Sequence, residues 1–282
     1  MTGTETPEPM KDVLTLEEAS QLFQVSTKTF LKMLREENVP ARKVGREWRF
    51  SRTALLNWVA QGNSRDYAAV EDEGKAYFSK VAPVYDEMRK GSYDGALREM
   101  VVDAFPPAPG SQVADLGTGT GYLAKHLARF AEKVTAVDLS TAMLEVAGYE
   151  LNQAGLDNVA LLEGDAHDLP LADASQDQVF ANLLLHHLLE PSLAIKEMFR
   201  VLKPGGRVVI SDAQAHHHQW LKQEKFDVWL GFDAAEIRQW LEAAGFGEVQ
   251  VSALNCHCRT ANKAGQTVEI PMFLATGIKP AP

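Results

Sequence analysis

Three glycines alternate with small residues in VADLGTGTGYLA, a stretch that begins at Val113. An apolar run precedes them and an amphipathic run follows, so the stretch reads as strand, turn and helix start. Such a turn offers backbone N–H groups and the positive end of a helix dipole. Gly117, Gly119 and Gly121 permit positive φ and let a ligand touch the backbone. Asp138 closes the next strand, 23 residues after Asp115, where a carboxylate can accept both hydroxyls of a ribose. Dinucleotide turns use G-x-G-x-x-G, whereas the spacing here is G-x-G-x-G with Asp115 just ahead of it. A carboxylate repels a pyrophosphate and attracts an α-amino group. The expected ligand therefore carries an amino acid, which points to S-adenosylmethionine (AdoMet).

Further reactive side chains follow. His186 and His187 come after the strand QVFANLLL, near where a transferable methyl would sit. The segment AHHHQWLKQEKFDVWLGF supplies His216, His217, His218, Trp220, Asp227 and Trp229, a candidate lid over an acceptor. Successive histidines point to different sides, so at most two of the three can share a metal. In NCHC, Cys256 and Cys258 would face one side if the segment is a strand. Alone or with a loop histidine they are candidates for a soft ion of the zinc type. No metal ion is assigned; the competing reading is two reduced thiols at the start of an exposed loop.

These residues need elements to position them. The chain has 282 residues, room for two domains. Residues 11–62 carry a net charge of +3 and residues 63–282 a net charge of −11, so the two parts suit different partners. Residues 1–10, MTGTETPEPM, read as a disordered leader rather than a signal peptide. Residues 11–62 read as three helices and a hairpin. Thr15 and Glu18 form a capping box for the first helix, Ser26 or Thr27 caps the second, and ARKVGREWRF turns at Gly45. Residues 63–74 are polar and acidic and read as a linker. From Lys75 to residue 282 strands and helices alternate, implying a mostly parallel sheet covered on both faces. Two strands without an intervening helix close it as an antiparallel C-terminal hairpin. No apolar run approaches the roughly 18 residues of a membrane span. With two cysteines and no disulfide framework, the protein is expected in the cytoplasm with reduced thiols.

Residues 75–282 resemble a class I AdoMet-dependent methyltransferase with a Rossmann-like α/β sheet. ADLGTGTG resembles the family's first motif, AVDLS its ribose-binding acidic loop, EGDAHDLPL its adenine-binding segment and LKPGGRVVISD its fifth strand. AYFSKVAPVYD is similar to the helix that closes over the cofactor. The resemblance implies that Asp115, directly or through water, meets the methionine amino group. It places Gly117, Thr118, Gly119 and Gly121 in the methionine loop. Asp138 then binds the ribose, with Leu139, Ser140 and Met143 beside the adenine. Gly164, Asp165 and Ala166 serve the adenine edge. Asn182 offers its carbonyl near the sulfonium, Tyr85 covers the methionine end, and Tyr77 and Leu183 are further cofactor contacts. His187 would line the cofactor or act as general base. The implied cofactors are AdoMet and its product S-adenosylhomocysteine (AdoHcy).

TLEEASQLFQVSTKTFLKMLREENVPARKVGREWRF resembles the excisionase/MerR-type winged helix-turn-helix domain. The resemblance places Lys28, Thr29 and Lys32 in the major groove of double-stranded DNA, as base or phosphate contacts, and Arg42, Lys43, Arg46 and Arg49 on phosphates. Trp48 and Phe50 are read as core. The joined architecture, and the histidine segment, resemble ArsR-type regulators fused to methyltransferase-like domains.

Two functions follow: methylation of a small-molecule acceptor by a DNA-tethered enzyme, or a transcription regulator that senses AdoMet or AdoHcy. A DNA methyltransferase of this scaffold would carry N/D-P-P-Y/F after the fourth strand, and ANLLLHHLLEP does not. A homodimer would enlarge the small DNA contact of one head.

Overall fold

The computed structural model describes residues 11–36, 39–61, 64–92 and 97–281. The leader, residues 1–10, lies outside them. Contacts divide the chain into two units, Met1–Ala69 and Val70–Pro282.

The first unit runs β1 (Val13–Leu14), α1 (Leu16–Leu22), α2 (Thr27–Glu36), β2 (Arg42–Val44), β3 (Glu47–Ser51) and α3 (Arg52–Gln61). Both halves of the Thr15–Glu18 capping box are formed. Ser26, rather than Thr27, caps α2: its Oγ accepts the Thr29 N–H at 3.0 Å. The hairpin turns at Gly45, whose φ of +66° suits glycine. β1 adds a third strand, with Leu14 opposite Phe50. A two-residue strand has no periodicity to announce it. Leu14, Ala19, Phe30, Val39, Phe50 and Leu55 form the core, with Trp48 packed at its edge.

The segment read as a linker is helical from Ser64 onward: α4 covers Ser64–Val81. Its alanines and alternating charges are good helix formers, and the one interior glycine, Gly74, costs only about 1 kcal/mol. Pro83 ends the run, and a 3₁₀ turn leads into α5 (Tyr85–Met88).

The second unit continues with α6 (Leu97–Ala104), β4 (Gln112–Leu116), α7 (Ala124–Leu127), β5 (Lys133–Asp138), α8 (Thr141–Gln153) and β6 (Val159–Glu163). It then adds β7 (Gln176–Asn182), α9 (Pro191–Val201), β8 (Leu202–Ala213), α10 (Trp220–Glu224), α11 (Ala234–Ala244), β9 (Gly247–Ala261) and β10 (Thr267–Ile278). The sheet order is β6-β5-β4-β7-β8-β10-β9. The first five are parallel neighbours, and β10 runs antiparallel to both β8 and β9. The expected hairpin is present, but its second strand is inserted beside β8 and leaves β9 at the edge. Alternate residues feed opposite faces: Val113 and Val209 one core, Ala114, Val208 and Ile210 the other. α7 is shorter than the run YLAKHLARFA suggests, because turns flank it on both sides. Among the described residues no helix is long and apolar enough to cross a membrane.

The winding direction reverses between β4 and β7. Open α/β sheets bind ligands at that switch point, outside the carboxyl ends of the strands. The glycine turn follows β4, Asp138 ends β5, Asp165 follows β6 and Leu183 follows β7, so all converge there.

Candidate active site and its two cavities

A cleft with about 990 Å³ of open space, its mouth included, lies over these strand ends. Gly117, Gly119, Asp138, Leu139, Ser140, Met143, Gly164, Asp165, Ala166, Leu183, His187 and Tyr85 all line it, as the sequence suggests. The Asp138 carboxylate is fixed by two backbone donors, Gly119 N–H on Oδ2 at 2.8 Å and Ser140 N–H on Oδ1 at 2.9 Å. Burial raises its pKa. Asp165 accepts the His167 N–H at 2.8 Å and pairs with His167 Nδ1 at 2.9 Å; this hydrogen bonding lowers its pKa. Gly119 has φ +54°, and a Cβ there would project into open space. The cleft thus offers a glycine cradle, an anchored carboxylate and an apolar slot, which fits a nucleoside joined to an amino acid.

Other expected residues lie behind the cleft wall. Asp115 is buried and accepts the Thr118 hydroxyl at 2.7 Å. Burial pushes its pKa up to about 7. Gly121 permits close packing on α8, where a Cβ would meet Ala147 at 3.4 Å. Asn182 turns its side-chain oxygen to the Ser211 hydroxyl at 2.7 Å.

α4 and α5 close one side of the cleft. Lys75 pairs with Glu163 at 2.7 Å, Ser79 meets Ser140 at 2.9 Å, and Thr120 donates to Asp86 at 2.6 Å. Gly74 admits the Phe226 ring, which a Cβ would meet at 2.9 Å. Gly74, Lys75, Phe78, His167, Leu184 and Phe226 also line the cleft; Phe78, His167 and Phe226 lie in segments the sequence marks, but none is singled out there as a site residue. Tyr77 lines a second cavity, stacked on Phe226 at 5.9 Å.

That second cavity is also lined by Met88, Arg89, His186, His216, Asp227 and Cys258. It shares Phe78, Tyr85, Leu183 and His187 with the first, so these four form the partition between the two. His187 donates its Nδ1–H to the Phe226 carbonyl at 3.0 Å and meets the Phe78 ring edge-on at 4.8 Å. Burial, reinforced by neighbouring His186, holds its pKa well below the usual histidine value. His186 bonds Asp212 Oδ1 through Nδ1 at 2.6 Å. Burial opposes charge on His186, but the Asp212 carboxylate outweighs it and raises its pKa.

Residues 114–210 match the family described as a methyltransferase domain, and residues 13–63 the one described as a helix-turn-helix domain. The demethylmenaquinone methyltransferase of Clavibacter sepedonicus is 31% identical over 207 residues, 62% of this chain and 82% of that protein. The chain belongs to the AdoMet-dependent methyltransferases. A second relative of this methyltransferase is the 2-methyl-6-phytyl-1,4-hydroquinone methyltransferase 1 of Oryza sativa, 31% identical over 188 residues. That match spans 63% of the chain and about half, 54%, of the relative. Among solved structures, phosphoethanolamine N-methyltransferase 2 of Haemonchus contortus, bound to phosphomonomethylethanolamine and AdoHcy, shares the fold. Its TM-score is 0.59 at 17% identity, covering 72% of this chain and 58% of that one. AdoMet and AdoHcy are thus this methyltransferase's cofactor pair.

The two cysteines sit on β9 and share a face, as the two-residue spacing implies. Both are buried in the sheet core rather than placed at an exposed loop. Cys258 reaches the second cavity and Cys256 does not line it. In the histidine run, His216 reaches that cavity and stacks near His218 at 5.3 Å. Burial lowers the His216 pKa to about 4.

Proposed function

We propose that this methyltransferase acts on a small hydroxylated aromatic ring held in the second cavity, while its head binds double-stranded DNA. The shared partition of Phe78, Tyr85, Leu183 and His187 carries the reading. A methyl donor in the first cavity and an acceptor in the second would meet across it, and methyl transfer depends chiefly on such alignment. AdoMet supplies an electrophilic methyl group when bound. The chain's own part is to orient and exclude water. The Asp138 carboxylate is the ribose acceptor, Gly117 and Gly119 give room to the methionine portion, and Asp165 with Ala166 meets the adenine edge. Asp115, held near neutrality behind the loop, would ionise beside an ammonium group. Tyr77, Phe78 and Tyr85 offer flat apolar surface to an aromatic acceptor, and Arg89 offers a charge to an oxyanion. His187, neutral with its Nδ1–H engaged by the Phe226 carbonyl, keeps the partition uncharged where donor and acceptor would meet. The names of the quinone and hydroquinone methyltransferase relatives support the same class.

In the head, Lys28, Thr29, Lys32, Arg42, Lys43 and Arg46 are exposed, and Arg49 is half-buried beside Glu47. An exposed basic face on a helix-turn-helix supports the DNA reading and the roles assigned to these residues. Two copies would double that face.

Full-length protein incubated with radiolabelled AdoMet and reduced naphthoquinols, catechols or phenolic acids is expected to release AdoHcy with at least one class. No turnover with any of them favours the second reading, a regulator that senses AdoMet or AdoHcy. The union of a ligand cleft and a helix-turn-helix in one chain supports that reading. Capture of genomic DNA fragments with no ligand, AdoMet or AdoHcy separates the two: a sensor requires ligand-dependent enrichment.

A further inference from the structure

The second cavity has a floor that methyl transfer does not require. One ring nitrogen from each of His186 and His187 and one Asp227 carboxylate oxygen lie within 4.8 Å of one another. His186 Nε2 stands 3.9 Å from Asp227 Oδ1. The Nδ1 atoms of both rings are already committed, to Asp212 at 2.6 Å and to the Phe226 carbonyl at 3.0 Å. Nε2 is therefore the nitrogen each ring turns toward a ligand. A carboxylate or carbonyl behind the distal nitrogen is the outer arrangement that orients metal-binding histidines.

The backbone holds the same geometry. Val228 and Trp229 N–H donate to the His186 carbonyl at 2.9 and 3.0 Å, and Trp229 Nε1 donates to Leu188 O at 2.8 Å. Phe226, with φ +62°, occupies the left-handed region although it is not glycine. That strained turn aims its carbonyl at His187 and places Asp227 next to the histidine pair. Two segments about forty residues apart are thus latched so that three donors converge.

We infer that His186, His187 and Asp227 form a binding site for a divalent first-row transition-metal cation at the floor of the second cavity. Two histidines and one carboxylate leave coordination positions open, and these face the cavity. Metal–ligand distances near 2.1 Å need donors roughly 3–4 Å apart, so a closure of about 1–2 Å completes the set. Arg89 and Lys225 also line the cavity and oppose a cation; Asp227, and Asp212 behind His186, balance them. A bound anionic oxygen ligand would tighten the metal further. The site rests on the donors alone and holds whatever the methyl acceptor proves to be.

The test uses the full-length chain, stripped with a chelator and titrated with Co²⁺ alone. The expected result is one equivalent bound with visible d–d absorption, retained when Cys256 and Cys258 are both changed to Ser. Asp227→Asn should weaken binding at least tenfold while keeping the thermal shift with AdoHcy, since Asp227 does not line the cofactor cleft. His187→Ala should do the same to Co²⁺, and Asp212→Asn should weaken it about 10- to 100-fold. Failure of the wild type to bind, a thiolate-to-cobalt charge-transfer band, or unchanged affinity in Asp227→Asn would overturn the assignment.

Discussion

Asp138 accepts the Gly119 backbone N–H at 2.8 Å, so the carboxylate at the end of one strand braces the glycine turn that follows its neighbour. The residue proposed to hold the ribose also shapes the loop that faces the methionine portion. Asp138→Ala removes two charge-assisted hydrogen bonds along with the ribose acceptor. AdoHcy affinity is expected to fall roughly 10- to 100-fold, at about 1.4 kcal/mol per factor of ten. Calorimetry that finds wild-type affinity would remove Asp138 from the site.

The two cleft glycines differ in a way that substitutions can separate. At Gly117 a Cβ would meet Leu184 Cδ1 at 2.7 Å, whereas at Gly119 it meets nothing within 4 Å. Both have positive φ, which costs a non-glycine residue about 1–2 kcal/mol. Gly117→Ala is expected to lower the melting temperature more than Gly119→Ala. Gly119→Ala should keep most stability and lose AdoHcy binding, because its methyl enters the ligand's space. Thermal melts with and without AdoHcy check both.

Asp115 sets a pH dependence. Its folded pKa of about 7 lies above the ordinary 3.8. The folded state therefore keeps this proton where the unfolded chain has released it, and the contribution to stability is complete below about pH 4 and lost as pH rises to 7. Asp115→Asn, which keeps an acceptor for Thr118, should flatten that part of the curve. Relative to wild type without cofactor, it should gain about 4 kcal/mol between pH 4 and 7, because the folded pKa lies roughly three above the ordinary one. Denaturant unfolding at both pH values measures the difference, and parallel curves would contradict it.

For the head, replacing Lys32 and Arg46 together should reduce the slope of log affinity against log salt by about 1.8, from roughly 0.9 per phosphate contact. Fluorescence anisotropy over a salt series reads the slope directly. An unchanged slope would mean that the contact face lies elsewhere on the unit.

What was legible in the sequence was local. The Thr15–Glu18 box, the Gly45 turn, the alternation of strands and helices, and the glycine turn with Asp138 each depend on a few neighbouring residues whose types dictate backbone geometry. The second cavity was not legible. Arg89, His186, Asp227 and Cys258 come from four separate segments, and only the winding of the sheet brings them to one space. The insertion of β10 beside β8, which carries β9 and Cys258 to their places, rests on long-range strand pairing with no local pattern. The tertiary structure also decided which expected residues face ligand: Asp138, the last residue of β5, lines the cleft, whereas Asp115, one residue before the end of β4 and opposite Ala136, lies beneath it. Short-range propensities set each turn and cap, but burial and convergence depend on the register of distant strands, and that register is fixed only when the two cores close.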